Sequence, residues 1–367
     1  MAAFDVEALL RPEIRRIDEY ISGSSLEVLS RRLSLPEERI IKLDANENLY
    51  GPSPKVREAL GGYRYYHIYP DSMQGRIREA IQGYLGVDKA HIVFGNGSDE
   101  LIDLVMRLFV KPGDVVINCP PTFAMYSFYA TLNGAEVVEV PRRADFSLDV
   151  EGVERAAKGM DSRPSLLFLA SPNNPDGSVT PRDTILRLLR LPLVVVIDEA
   201  YAEFSGESVV DLVPEHPNLI VLRTFSKWAG LAGLRVGYGV FPLDIIKHLW
   251  RAKSPDNVNV AARIAVLATL SDLDYLRSNI QRIIAERERL YAELRKIDFL
   301  RPYPSRANFI LCRVVGRDVW KLREALEREG VILRYYLDDP RLREFIRITV
   351  GRPEQMDALL AALRRLS

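Results

Sequence analysis

Thr224-Phe225-Ser226-Lys227-Trp228-Ala229-Gly230-Leu231-Ala232-Gly233-Leu234-Arg235-Val236-Gly237-Tyr238 decides how the rest of this chain is read. The apolar run before it, Leu219-Ile220-Val221-Leu222, predicts a buried strand. The chain then passes into small residues that set one lysine beside a serine, with an arginine eight residues further on. Upstream, Leu193-Val194-Val195-Val196-Ile197 predicts a second buried strand, which ends in Asp198-Glu199-Ala200-Tyr201. Apolar strands that deliver polar residues at their C-terminal ends are where an open α/β sheet receives a ligand.

Outward from that pair, helix-like and strand-like segments alternate from about residue 75 to about residue 245. A helix from Gly75 to Leu85, a strand at His91–Phe94 and a helix running to Val110 are followed by strands near 114–118, 135–140 and 165–169. This alternation predicts a mostly parallel sheet sandwiched by helices. From Pro242 to about Leu300 the pattern is helical, and Tyr275–Arg295 reads as one long amphipathic helix. Past Pro302 and Pro304 the pattern changes: strands at 308–312, 331–333 and 345–350, with helices at 319–329 and 353–366, predict a smaller α+β domain. The expected division is an N-terminal arm at 1–40 that packs with the small domain or with a partner subunit, a large domain at 41–285 and a small domain at 286–367.

Composition narrows the function classes. The chain has 367 residues, 47% of them hydrophobic, enough for a large core and more than one domain. Lysine plus arginine and aspartate plus glutamate balance at 50 each, so no basic excess points to nucleic acid or to an anionic membrane. Two distant cysteines, Cys119 and Cys312, predict neither a disulfide framework nor a zinc site, and four histidines without ligand spacing argue against any metal. The N-terminal stretch carries Asp5, Glu7, Arg11, Glu13, Arg15 and Arg16, which leave no uninterrupted apolar h-region of a signal peptide, and no apolar run reaches the roughly 20 residues of a membrane span. A reduced, cytoplasmic setting is expected.

Lys227 suggests the chemistry. A lysine amine condenses with a carbonyl once it is deprotonated. Pyridoxal phosphate offers an aldehyde, a phosphate, a phenolic oxygen and a ring nitrogen, and needs a partner for each. Lys227 is the candidate amine. Ser226, Arg235 and the helix start at Ser98-Asp99, after Gly95-Asn96-Gly97, can hold a phosphate. Asn174 and Tyr201 can bond the phenolic oxygen, Asp198 can keep the ring nitrogen protonated, and Phe123 can stack on the ring. Each of these residues alone is an ordinary cap, turn or packing residue; their joint occurrence in this order is not.

Asn174-Pro175-x-Gly177, Asp198-x-x-Tyr201 and Ser226-Lys227 followed by Arg235 resemble the motif set of the class I/II, fold-type I pyridoxal-phosphate aminotransferases. More closely, Leu43-Asp44-Ala45-Asn46-Glu47-Asn48, Tyr69-Pro70-Asp71, Gly95-Asn96-Gly97-Ser98-Asp99-Glu100, Pro121-Thr122-Phe123-x-Met125-Tyr126 and Leu342–Gly351 resemble the histidinol-phosphate aminotransferase family. The resemblance spans roughly residues 40 to 365. It implies that Lys227 carries pyridoxal phosphate, that Arg334, Arg347 and Asn48 bind substrate, and that Tyr69 reaches the cofactor phosphate of the other subunit in a homodimer with shared sites. The implied activity is transamination between L-histidinol phosphate and 2-oxoglutarate in histidine biosynthesis. An aromatic amino-acid aminotransferase and a threonine-phosphate decarboxylase are the alternatives on the same scaffold. Three positions depart from the family pattern: Phe123 stands for a tyrosine, Leu49 for a proline and Asp176 for a threonine.

Overall fold

A computed structural model describes residues 4–17, 23–159 and 164–366. Its strands are β1 (Ile41–Leu43), β2 (Ile92–Gly95), β3 (Val115–Asn118), β4 (Glu136–Glu139), β5 (Pro164–Ala170), β6 (Val194–Asp198), β7 (Leu219–Thr224), β8 (Gly237–Val240), β9 (Leu300–Pro302), β10 (Phe309–Val314), β11 (Val331–Tyr335) and β12 (Phe345–Thr349). Seven of them form one sheet in the order β2-β8-β7-β6-β5-β3-β4. Every pairing is parallel except those of β8, which runs against both its neighbours. The fold class read from the alternation of elements is the one observed.

Both faces of this sheet are covered, which explains why its strands read as unbroken apolar runs. Successive residues point to opposite faces. Leu167, Leu169, Val195, Ile197 and Val221 enter one core, and Leu166, Phe168, Val196, Ile220 and Leu222 enter the other. All ten are at most 1% exposed. With the faces dry, the loops at the C-terminal ends of β2, β5, β6 and β7 are what the sheet offers to a ligand. Those loops begin at Asn96, Ser171, Glu199 and Phe225.

A five-stranded sheet in the order β1-β11-β12-β10-β9 forms the second unit. Only the β1–β11 pair in it is parallel. Ile41–Leu43 therefore hydrogen-bonds to Val331–Leu333 of the C-terminal region, whereas the division at residue 41 had put it with the large domain. The physical reason is that a three-residue strand carries no signal of its partner; only the long-range pairing shows it. The helix Leu26–Leu33 follows the same strand, since Leu29 packs on Ile40 and Ile332. The helix Leu26–Leu33 of the N-terminal arm thus lies against the small sheet.

The helix Leu273–Leu294 joins the units. Its buried residues Leu276, Ile283, Leu290 and Leu294 belong to the core cluster that also holds Phe309 and Ile346 of the small sheet. Among the described residues no helix is long and apolar enough to cross a membrane.

Candidate active site

The strand-end loops and the small sheet enclose a cavity of about 510 Å³. Lys227, Asp198, Tyr201, Asn174, Phe123, Ser98, Asp99, Ser226, Arg235, Arg334 and Arg347 all line it. Eleven of the thirteen residues expected from the sequence are therefore gathered around one space, although they come from positions 98 to 347.

Lys227 follows the end of β7, and its Nζ donates to the carbonyl of Ala45 at 2.8 Å. Burial, then the positive charge of Arg347, lowers its ammonium to about 8, against the opposing pull of Glu47 and Asp99. A lysine near 8 has a substantial neutral fraction at physiological pH, the form that attacks carbonyls.

Asp198 ends β6 and is 5% exposed. Its Oδ2 accepts from the Tyr126 hydroxyl at 2.7 Å, and its Oδ1 from the Ala200 amide at 3.1 Å. Burial raises its carboxyl to about 6, against the two hydrogen bonds. Tyr201 is pushed up to about 12 by burial, so its hydroxyl stays protonated; it accepts from Asn46 Nδ2 at 3.0 Å. Asn174 Oδ1 accepts from Arg347 Nη1 at 2.5 Å. Phe123 stands edge-on to Tyr126, with ring centroids 5.6 Å apart.

At the opposite end, the helix Ser98–Phe109 starts at the cavity wall, with Gly97 before it at φ +80°. A Cβ on Gly97 would lie 2.5 Å from Arg235 Nη2, so only glycine lets the guanidinium approach this helix end. Arg235 Nη2 meets Asp99 Oδ2 at 2.6 Å. The Ser226 hydroxyl accepts from Thr224 Oγ1 at 2.9 Å. Free amides at a helix start, a hydroxyl and an arginine form an anion cradle. A group with an anionic end, an aldehyde, a phenolic oxygen and a basic ring nitrogen therefore finds a matching partner at every position.

The remaining two residues lie elsewhere. Asn48, expected to touch substrate, does not line the cavity: its Nδ2 is held by the Trp228 carbonyl at 2.8 Å, next to Lys227. Its side chain closes a turn instead, accepting from the Tyr50 amide at 3.0 Å, and this turn forms without the usual proline at Leu49. Tyr69 is 87% exposed and lies outside this chain's own cavity. Its loop is nevertheless anchored, with Arg263 Nη1 on the Asp71 carbonyl at 2.7 Å. Asp176 ties its turn together by accepting from the Ser178 amide at 2.9 Å.

Sequence reasoning passed over two residues that the structure brings in. Asn46, at φ +54°, bonds both Tyr201 and Thr349; an asparagine within a turn-forming run was the available signal, since it tolerates the left-handed region. Tyr126 lies three residues after Phe123 and so on the same side of the helix start, a spacing that could have linked the two.

The family model described as "Aminotransferase class I and II" matches residues 38–363. A histidinol-phosphate aminotransferase of Roseiflexus castenholzii is 52% identical over 99% of both chains. The chain belongs to the class I and II aminotransferases and, within them, to the histidinol-phosphate aminotransferase family. The chloroplastic histidinol-phosphate aminotransferase of Nicotiana tabacum is 50% identical over 98% of this chain and 86% of that protein. The crystal structure of the Sinorhizobium meliloti histidinol-phosphate aminotransferase, in complex with pyridoxal-5'-phosphate, is 28% identical and superposes with a TM-score of 0.86 over the whole of both chains.

Proposed function

We propose that this aminotransferase is pyridoxal-phosphate-dependent and exchanges an amino group between L-histidinol phosphate and 2-oxoglutarate, as a step of histidine biosynthesis in the cytoplasm. The observation that carries the reading is the placement of Arg334 and Arg347. They are direct cross-strand partners on β11 and β12, and both face the cavity. Like charges opposite one another destabilise a sheet. A site that keeps them is built for a substrate with a strong negative charge, and a guanidinium fork accepts phosphate and carboxylate alike. One pocket can then take the phosphate of the amine donor and the carboxylate of the oxo acid in turn.

When bound, the cofactor supplies an aldehyde for amine exchange and a cationic ring that withdraws electrons. The protein does the rest. Ser98, Ser226 and Arg235 bind the cofactor phosphate, Asp198 stays ionised against the ring nitrogen, and Tyr201 and Asn174 bond the phenolic oxygen. Phe123 covers the ring face. Lys227 Nζ, held near 8, would take the proton from the substrate carbon that bears the amine and deliver it to the former aldehyde carbon of the cofactor. Tyr69, exposed on an anchored loop, fits a role in the partner subunit's site, which makes the working unit a homodimer.

The test is product analysis with purified protein. Histidinol phosphate plus 2-oxoglutarate should yield glutamate and no carbon dioxide, with phenylalanine a poorer donor. Preferred use of phenylalanine would assign an aromatic aminotransferase, and carbon dioxide release from phosphothreonine would assign a decarboxylase. Sedimentation should give a dimer.

A further inference from the structure

We propose that Tyr126 is a positioning residue that holds Asp198 ionised and oriented against the ring nitrogen of the cofactor, an inference that rests on the pyridoxal-phosphate reading above. Tyr126 is 0% exposed, and its hydroxyl is one of the two donors that Asp198 receives, the other being the Ala200 amide.

Three carboxylates crowd this corner, and they are not equally provided for. Asp99 has Arg235 at 2.6 Å, and Glu199 has Arg223 at 2.8 Å. Asp198 pairs with no cation among the described residues; it faces the negative charges of Asp99 and Glu199 and the neutral phenols of Tyr126 and Tyr201. A buried carboxylate in that setting favours its protonated form, which is why its carboxyl sits at about 6. A protonated ring nitrogen would supply the missing positive charge. Until then the Tyr126 hydroxyl is, among the described residues, the only side-chain donor that keeps the charge on Oδ2. Its own ionisation is pushed well above the usual phenol range by burial, so it remains a donor at every working pH.

Tyr126 also fixes direction. Its ring stacks on Phe168, with centroids 5.1 Å apart at 23°, and stands edge-on to Phe123 at 83°. One locked ring thus sets both the carboxylate and the aromatic face of the cavity. Tyr126→Phe keeps those ring contacts and removes only the hydroxyl. Asp198 then has one donor left, and the proton shared between ring nitrogen and carboxylate shifts toward the carboxylate.

The experiment measures the dissociation constant of pyridoxal phosphate and the 15N signal of ring-labelled cofactor, for wild type, Tyr126→Phe and protein with 3-fluorotyrosine at position 126. The phenylalanine variant should bind roughly tenfold or more weakly, as expected for a hydrogen bond to a charged group. Its 15N signal should move toward that of unprotonated pyridine. The fluorinated phenol, a stronger donor of the same shape, should move the signal the other way, and it carries the test if the phenylalanine variant does not fold. An unchanged 15N signal in both variants overturns the proposal, whether or not affinity falls, because packing alone would not move the proton. A wild-type protein that fails to bind the cofactor overturns the underlying reading instead.

Discussion

Arg223 on β7 and Arg347 on β12 each sit in a largely apolar strand that ends in a threonine, and each is 6% exposed. Their surroundings differ completely. Arg223 donates through Nε and Nη2 to Glu199 at 2.9 and 2.8 Å, and through Nη1 to Glu203 at 3.4 Å. Those carboxylates hold it well above the usual arginine range, though burial works against its charge. Arg347 meets only neutral oxygens, the Asn174 side chain and the Asp44 carbonyl, and its buried Nε has no partner. The face of Phe309 lies 5.4 Å away and Arg334 stands opposite. A buried cation whose charge is answered within the fold serves the fold. A buried cation left unanswered at a cavity wall is kept for something that arrives.

That distinction can be broken by mutation. Lys227, another cavity cation without a carboxylate partner among the described residues, should give the largest effect: Lys227→Ala should lower transamination on the order of 10⁴-fold, with an unchanged melting temperature. Next comes Arg223→Met, which strands Glu199 and Glu203 and should cost about 3–5 kcal/mol in urea unfolding. Arg347→Gln should show the reverse profile. KM for histidinol phosphate should rise roughly 10- to 100-fold, while the melting temperature holds or rises as repulsion from Arg334 is relieved. If Arg347→Gln unfolds the protein and Arg223→Met does not, the contrast is wrong.

Titration sharpens it further. Burial raises the Glu203 carboxyl from 4.5 to about 7, so the folded state binds its proton more tightly than the unfolded state. That contribution to stability is full below the unfolded value and is lost as pH rises through about 7. Glu203→Gln should therefore flatten the fall in stability between those pH values, read by thermal melts. Capture of pyridoxal phosphate should speed up as pH rises through about 8, where Lys227 becomes neutral, and stopped-flow absorbance would follow it. The smallest effect belongs to Asp99→Asn. Its bond to Arg235 is partly exposed, with side chains at 37% and 44%, and losing it should change stability by less than about 1 kcal/mol.

The large sheet was legible because its strands are dry on both faces and the helices between them carry a different period. The cavity's chemical groups were legible because most of them follow directly from a strand end: Asp198, Ser226 and Lys227 sit where the apolar runs stop. The orientation of Asn48 was not legible, since a polar residue in a site loop can turn either way, and here it bonds the backbone behind Lys227. The membership of Ile41–Leu43 was hidden for a related reason, as three residues fit the edge of many sheets.

From the order of residues alone came the parallel sheet, the amine at Lys227 and the set of partners around it, because hydrophobic period and strand-end chemistry are local properties. Which arginine would be neutralised by Glu199 and which would face Arg334 was decided only by the fold. A side chain's charge is written in the sequence, but the answer to that charge depends on which distant residues the packing brings within hydrogen-bond reach.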